Sequence, residues 1–197
     1  MRTSRRTGLK IGLFGGSFNP AHDGHLHLAQ TALTSLQLDE VWWLVSPQNP
    51  LKPAQPSYET RADTVKALPL ARRMKLSRLE IDSGTRFTVD MVRKAQKLNP
   101  NTRFVFLMGA DNFSQFPRWK SWREIMASVP IAIIARPSKA GEPLFKARLG
   151  QAATMYRGAR ISEAHSHMLP TLKAPAWTYI TSPLNRLSSS AIRASMR

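Results

Sequence analysis

Residues 10–25 read KIGLFGGSFNPAHDGH, and the fold turns on them. Lys10 to Phe14 is a short apolar run bounded by two glycines, the pattern of a buried strand. From Gly24 onward, Leu26, Ala29, Leu33 and Leu36 recur at helical spacing, so a helix is expected to begin there. Between them, Gly15–Gly16 lets backbone approach a ligand with no Cβ in the way, and Gly24 does the same at the helix mouth. A new helix offers N–H groups and the positive end of its dipole, a natural seat for phosphate.

Outward from this corner, strand and helix patterns alternate. Strands are expected at 41–45, 74–79, 103–108, 131–135 and 177–181. Helices are expected at 58–68, 87–98 and 122–127, within 139–155, and at 188–196. The Pro-rich stretch SPQNPLKPAQP from Ser46 is expected to be a loop, as is the polar-aromatic stretch after Gly109. Residues 156–176 show no regular pattern. Such alternation implies an α/β fold, a Rossmann-like parallel sheet with helices on both faces. Residues 1–9 are expected to form a basic mobile tail and 10–197 a single domain.

Composition narrows the classes of function. With no cysteine in 197 residues, disulfides, thiolate–zinc sites and a cysteine nucleophile are excluded. No apolar run reaches the roughly 18 residues of a membrane span, and the apolar run after the basic N-terminus is too short for a signal peptide. A cytoplasmic protein with no membrane partner is expected. The 29 Lys and Arg against 12 Asp and Glu give +17, which suits anionic partners. These charges are scattered along the chain, which favours a small anionic ligand and keeps a nucleic-acid-binding module as a rival from another class. Neither G-x-G-x-x-G nor G-x-x-x-x-G-K-[ST] follows the first strand, which weighs against hydride transfer and P-loop chemistry.

His22 and His25 stand three apart at the glycine-rich corner, where both rings can face one phosphoryl group. Imidazole suits that task because it donates a hydrogen bond and can gain charge near neutral pH. In-line attack by an ionised phosphate oxygen on the α-phosphorus of a nucleoside triphosphate needs no base, so the histidines are assigned to charge stabilisation. His27 lies two past His25 and points elsewhere, so the three do not form a zinc set, and no metal ligands are assigned.

The string Gly15 to His25 is similar to GG-[ST]-F-[DN]-P-x-H-x-G-H, the signature of the H-x-G-H nucleotidyltransferase superfamily. The chain as a whole resembles its bacterial nicotinate mononucleotide adenylyltransferases. Asn19 stands where Asp is more usual, a change expected to touch turn geometry more than chemistry. The resemblance implies catalysis by His22, His25 and Arg193, with ATP lined by Gly15, Gly16, Ser17 and Phe18. LSSSAIR, Leu187 to Arg193, resembles the second signature, in which Ser188, Ser189 and Ile192 meet the triphosphate. Hydroxyls and amides opening a helix, with an arginine a turn later, suit an anion on physical grounds too. Gly109 and Asp111 match G-x-D beside the adenosine, and Arg136 the arginine of an R-P pair on the ATP side. Lys52 takes the basic position of a P-P-H-[KR] loop, although Leu51 replaces the histidine.

For the acceptor, Phe116–Trp119 resembles L-P-x-W, whose Trp stacks on a pyridine ring. Thr88, with the backbone amides of Trp119 and Lys120, is implied to hold a nicotinate carboxylate. The implied partners are ATP and nicotinate mononucleotide, with Mg2+ as cofactor. Oligomeric state is left open, a homo-oligomer included. Other H-x-G-H transferases, a phosphopantetheine adenylyltransferase or a cytidylyltransferase, are the nearest rivals. Class I aminoacyl-tRNA synthetases share H-x-G-H, but no KMSKS segment is present.

Overall fold

The computed structural model of the chain describes residues 8–47, 55–135 and 150–181. Their seven strands are β1 (Lys10–Gly16), β2 (Glu40–Val45), β3 (Met74–Ser77), β4 (Arg103–Gly109), β5 (Ile131–Ile134), β6 (Arg160–Ile161) and β7 (Trp177–Ile180). They form one sheet in the order β3-β2-β1-β4-β5-β7-β6. Every pairing is parallel, as the alternating pattern predicts.

Both faces of this sheet are buried, and strand periodicity sorts the core into two layers. Ile11, Leu13, Phe104, Phe106, Met108, Ile131 and Ile133 point to one side. That side is covered by α4 (Thr88–Leu98) and α6 (Trp122–Ser128). Phe14, Val41, Trp43, Val45, Val105, Leu107, Ala132 and Ile134 point to the other. There α1 (Asp23–Ser35) lays down Leu28, Ala29, Ala32 and Leu33, and α2 (Tyr58–Lys66) lays down Tyr58, Ala62 and Val65. Among the described residues no helix is long and apolar enough to cross a membrane.

Three expectations change. The strand expected to reach residue 79 stops at Ser77, and α3 (Leu79–Ser83) follows, closed by Gly84 at φ 62. A left-handed glycine is a usual helix stop, so the S-G pair carried the signal. The stretch after Gly109 is helical rather than loop over α5 (Ala110–Gln115), where Ala110 and Phe113 are buried three residues apart. Residues 156–176 contain 3-10 turns at Arg157–Ala159 and Glu163–Thr171 around the short β6. Of the helix expected within 139–155, α7 (Gln151–Met155) is described. The helix expected at 188–196 and the tail over 1–7 lie outside the described residues.

The chain runs from β1 outward to β2 and β3, then returns to lay β4 against the opposite edge of β1. That reversal opens a crevice at the carboxyl ends of β1 and β4, where open α/β sheets take their ligands. Phe14 sits opposite Leu107, so Gly16 and Gly109, each two residues on, end their strands side by side.

Candidate active site

The first helix is started by the two histidines themselves. His22 is the N-cap of α1, in extended backbone, and its Nδ1 accepts from the Gly24 amide at 3.0 Å. In return, the His22 amide donates to Nδ1 of His25 at 3.3 Å, completing a reciprocal capping box. The rings sit 3.9 Å apart between centroids, and both residues are buried.

This pairing fixes the protonation of both rings. A nitrogen that accepts from a backbone N–H cannot carry a proton of its own, so each neutral imidazole must hold its proton on Nε2. The geometry therefore assigns the Nε2–H tautomer to His22 and His25. It also modifies the expectation that bare helix amides seat a phosphate. The Gly24 amide is used by His22 Nδ1, and the His25 amide donates to the His22 carbonyl at 2.8 Å. The amides polarise the rings, and Nε2 is left as the proton-bearing nitrogen of each.

The corner leading to His22 is held under backbone strain. Phe18 has φ 47, in the left-handed region that bulky side chains rarely enter. Its ring is buried edge-on to Phe14 at 5.3 Å and to His25 at 5.1 Å, with Trp43 at 5.2 Å. A Cβ on Gly16 would come within 2.9 Å of that ring, so glycine there is required by close approach. Helix α2 grips the loop from beneath: Arg61 donates to the Ser17 carbonyl at 2.8 Å, and the Ala21 amide donates to Thr64 Oγ1 at 3.0 Å. Gln55 Nε2 reaches Ser17 Oγ at 3.3 Å.

Sequence reasoning placed a helix over 58–68 but singled out neither Arg61 nor Thr64 within it. Tyr58, Arg61, Ala62 and Val65 fall on one helical stripe, and all four are buried. A lone arginine on the apolar stripe of a helix was the available signal. Glu80, also missed, is a buried carboxyl lifted to about 8 by its burial, with Arg61 pulling the other way.

Across the crevice, Gly109 leads into α5 and Asp111 lies in that helix's first turn. Asp111 Oδ1 is shielded from solvent with no hydrogen-bond partner among the described residues, an acceptor suited to a ligand hydroxyl. Further along, Lys120 Nζ lies 4.1 Å from the Phe87 ring centroid, which brings Lys120 to the start of α4, where Thr88 is the first residue. Trp119 packs edge-on to Phe116 at 5.4 Å and Phe106 at 6.2 Å and stays partly exposed. Its amide closes the preceding 3-10 turn onto the Phe116 carbonyl at 2.9 Å, which leaves the Lys120 amide as the stronger candidate of the two for a ligand carboxylate. Lys52, Arg136, Ser188, Ser189, Ile192 and Arg193 lie outside the described residues. No group of three His, Asp or Glu able to hold a metal occurs among the described residues.

Comparison with known proteins bears on what this corner belongs to. A family model described as cytidylyltransferase-like matches residues 13–195. A probable nicotinate-nucleotide adenylyltransferase from Cereibacter sphaeroides (strain ATCC 17023) is 46% identical over 188 residues, covering 95% of this chain and 97% of the relative. The chain belongs to the cytidylyltransferase-like family and, within it, to the nicotinate-nucleotide adenylyltransferases. A relative of the same name from Ruegeria sp. (strain TM1040) is 42% identical over 186 residues, 94% of this chain and 96% of its own length. Among solved structures, the Plasmodium falciparum nicotinic acid mononucleotide adenylyltransferase complexed with NaAD superposes with a TM-score of 0.66. That match covers 94% of this chain and 83% of the other at 19% identity, a likeness of fold. The fold of this adenylyltransferase is thus the one its family adopts, with the H-x-G-H corner at the switch point of the sheet.

Proposed function

We infer that the chain transfers the adenylyl group of ATP to nicotinate mononucleotide, giving nicotinate adenine dinucleotide and pyrophosphate. The single observation that carries the chemistry is the histidine capping box, which supplies two proton-bearing Nε2 atoms from adjacent rings at the mouth of the crevice. A phosphate oxygen of the acceptor attacks the α-phosphorus of ATP. The new O–P bond forms as the α–β bridging bond breaks, and pyrophosphate departs with the bond's electron pair. The attacking oxygen is already ionised, so no protein base is needed. The work left to the protein is alignment and neutralisation of growing negative charge. Donors fixed in place before reaction suit that work, because they need not reorganise in the transition state.

The remaining roles are read from motif and neighbourhood. Gly15, Gly16, Ser17 and Phe18 form the wall on which the triphosphate lies, and Asp111 accepts from an adenosine hydroxyl. Lys52, Arg136, Ser188, Ser189, Ile192 and Arg193 are assigned to the phosphates and the ATP side by motif. Thr88 and the Lys120 amide take the nicotinate carboxylate, with the Lys120 ammonium adding favourable charge nearby and Trp119 a face for the ring. Magnesium bound with the triphosphate would neutralise part of its charge.

Pyrophosphate release with ATP, magnesium and a panel of acceptors tests this directly. Nicotinate mononucleotide is expected to exceed nicotinamide mononucleotide in kcat/KM by about tenfold or more, because the amide lacks the charge that the donors address. Equal values would remove the assigned carboxylate subsite. A preference for phosphopantetheine or a cytidine triphosphate would overturn the substrate assignment.

A further inference from the structure

The strained corner that delivers His22 needs something to hold it, and neighbouring α1 does not do so alone. A bulky residue at positive φ is strained and persists only where surroundings over-determine it. Two side chains from α2 do the holding at Phe18. Arg61 is 1% exposed, and its guanidinium serves three backbone carbonyls: Ser17 at 2.8 Å, Pro56 at 3.0 Å and Pro47 at 2.6 Å. It therefore ties the loop after β1 to the residue two beyond the end of β2 and to the entry of α2. Three positions on one planar fork leave little rotational freedom. Thr64 Oγ1 accepts from the Ala21 amide, immediately before His22, and lies 3.3 Å from the Phe18 carbonyl and 2.7 Å from that of Arg61. Its single proton can serve one of these carbonyls at a time, but its acceptor role toward Ala21 is unshared.

We propose that Arg61 and Thr64 are positioning residues for adenylyl transfer, fixing the backbone from Ser17 to Ala21 so that His22 Nε2 meets the α-phosphate at the productive angle. Neither touches substrate. They act through the loop, so their removal disturbs the transition state more than substrate binding. Misplacement of a reacting group by about 1 Å can cost on the order of a hundredfold in rate. The proposal rests on His22 being the donor described above.

The test is a double-mutant cycle between Thr64→Val and His22→Asn, read in kcat and KM. Thr64→Val keeps the side-chain shape and loses the acceptor for Ala21. It is expected to lower kcat about tenfold or more, with KM for both substrates within about twofold, and Thr64→Ser should restore kcat. In the His22→Asn background, Thr64→Val should have little further effect, because a residue acting through His22 then has nothing to align. Independent, multiplying losses in the double variant would overturn the proposal, as would normal kcat in folded Thr64→Val. If His22→Asn itself turns over normally, the assignment of His22 fails instead, a separable outcome. Should Thr64→Val not fold, Arg61→Lys decides the matter in the same cycle. It retains charge but loses the three-way fork, and unchanged kcat there would equally overturn the proposal.

Discussion

Replacing His22 separates its two duties, because one belongs to Nδ1 and the other to Nε2. Nδ1 caps α1 by accepting from the Gly24 amide at 3.0 Å, and Nε2 bears the proton assigned to catalysis. His22→Ala removes both. Loss of an N-cap costs about 1 kcal/mol, and truncating a buried ring whose centroid lies 3.9 Å from that of His25 adds packing loss. For a chain of 197 residues each kcal/mol shifts the melting temperature by roughly 2–4 °C, so His22→Ala should melt several degrees early. His22→Asn restores a strong N-cap but offers no Nε2 and still loses the buried ring beside His25, so it should melt between His22→Ala and the parent. Both variants should lose on the order of a hundredfold or more in kcat, the usual cost of deleting one charge-stabilising donor. Thermal unfolding and pyrophosphate release on the same preparations give the two numbers. Near-normal turnover in the Asn variant would refute the catalytic role, since activity would then follow the cap and not the imidazole.

Gly16→Ala sets a methyl 2.9 Å from the buried Phe18 ring, which Phe14, Trp43 and His25 prevent from yielding. Denaturant titration should show about 1–3 kcal/mol of lost stability, and kcat should fall with it. A neutral outcome would mean the loop is softer than described. Glu80 governs a pH dependence. Burial raises its carboxyl from 4.5 to about 8, so the folded state holds a proton that the unfolded chain releases near 4.5. Its contribution is therefore full below about pH 4.5 and is lost as pH rises through about 8, on the order of a few kcal/mol. Glu80→Gln should flatten denaturation midpoints measured between pH 5 and 9. An unchanged slope would place the dependence elsewhere.

The sheet and its parallel order were legible because buried strands such as RFVFLM and alternating helices leave few other arrangements. The short helices α3 and α5 were not. Five or six residues give too few turns for a period, and polar residues such as Asp111, Asn112 and Ser114 resemble turn composition. The histidine pair was visible in its motif, but the direction of its hydrogen bonds was not. Spacing brings His22 and His25 together, whereas the choice of Nδ1 as acceptor depends on the extended backbone at His22. Arg61 and Thr64 were hidden for a related reason. Their partners Ser17 and Ala21 lie 44 and 43 residues away, and the contacts run to backbone, which carries no sequence signature.

The central claim is that both imidazoles are held with protons on Nε2, aimed at the α-phosphate. Nitrogen-15 histidine NMR of the whole protein, before and after adding a non-hydrolysable ATP analogue, measures this most directly. His22 and His25 should both show neutral Nε2–H tautomers, and their Nε2 signals should move on binding while those of His165 and His167 stay put. A Nδ1–H tautomer at either residue, or signals indifferent to the nucleotide, would contradict the account.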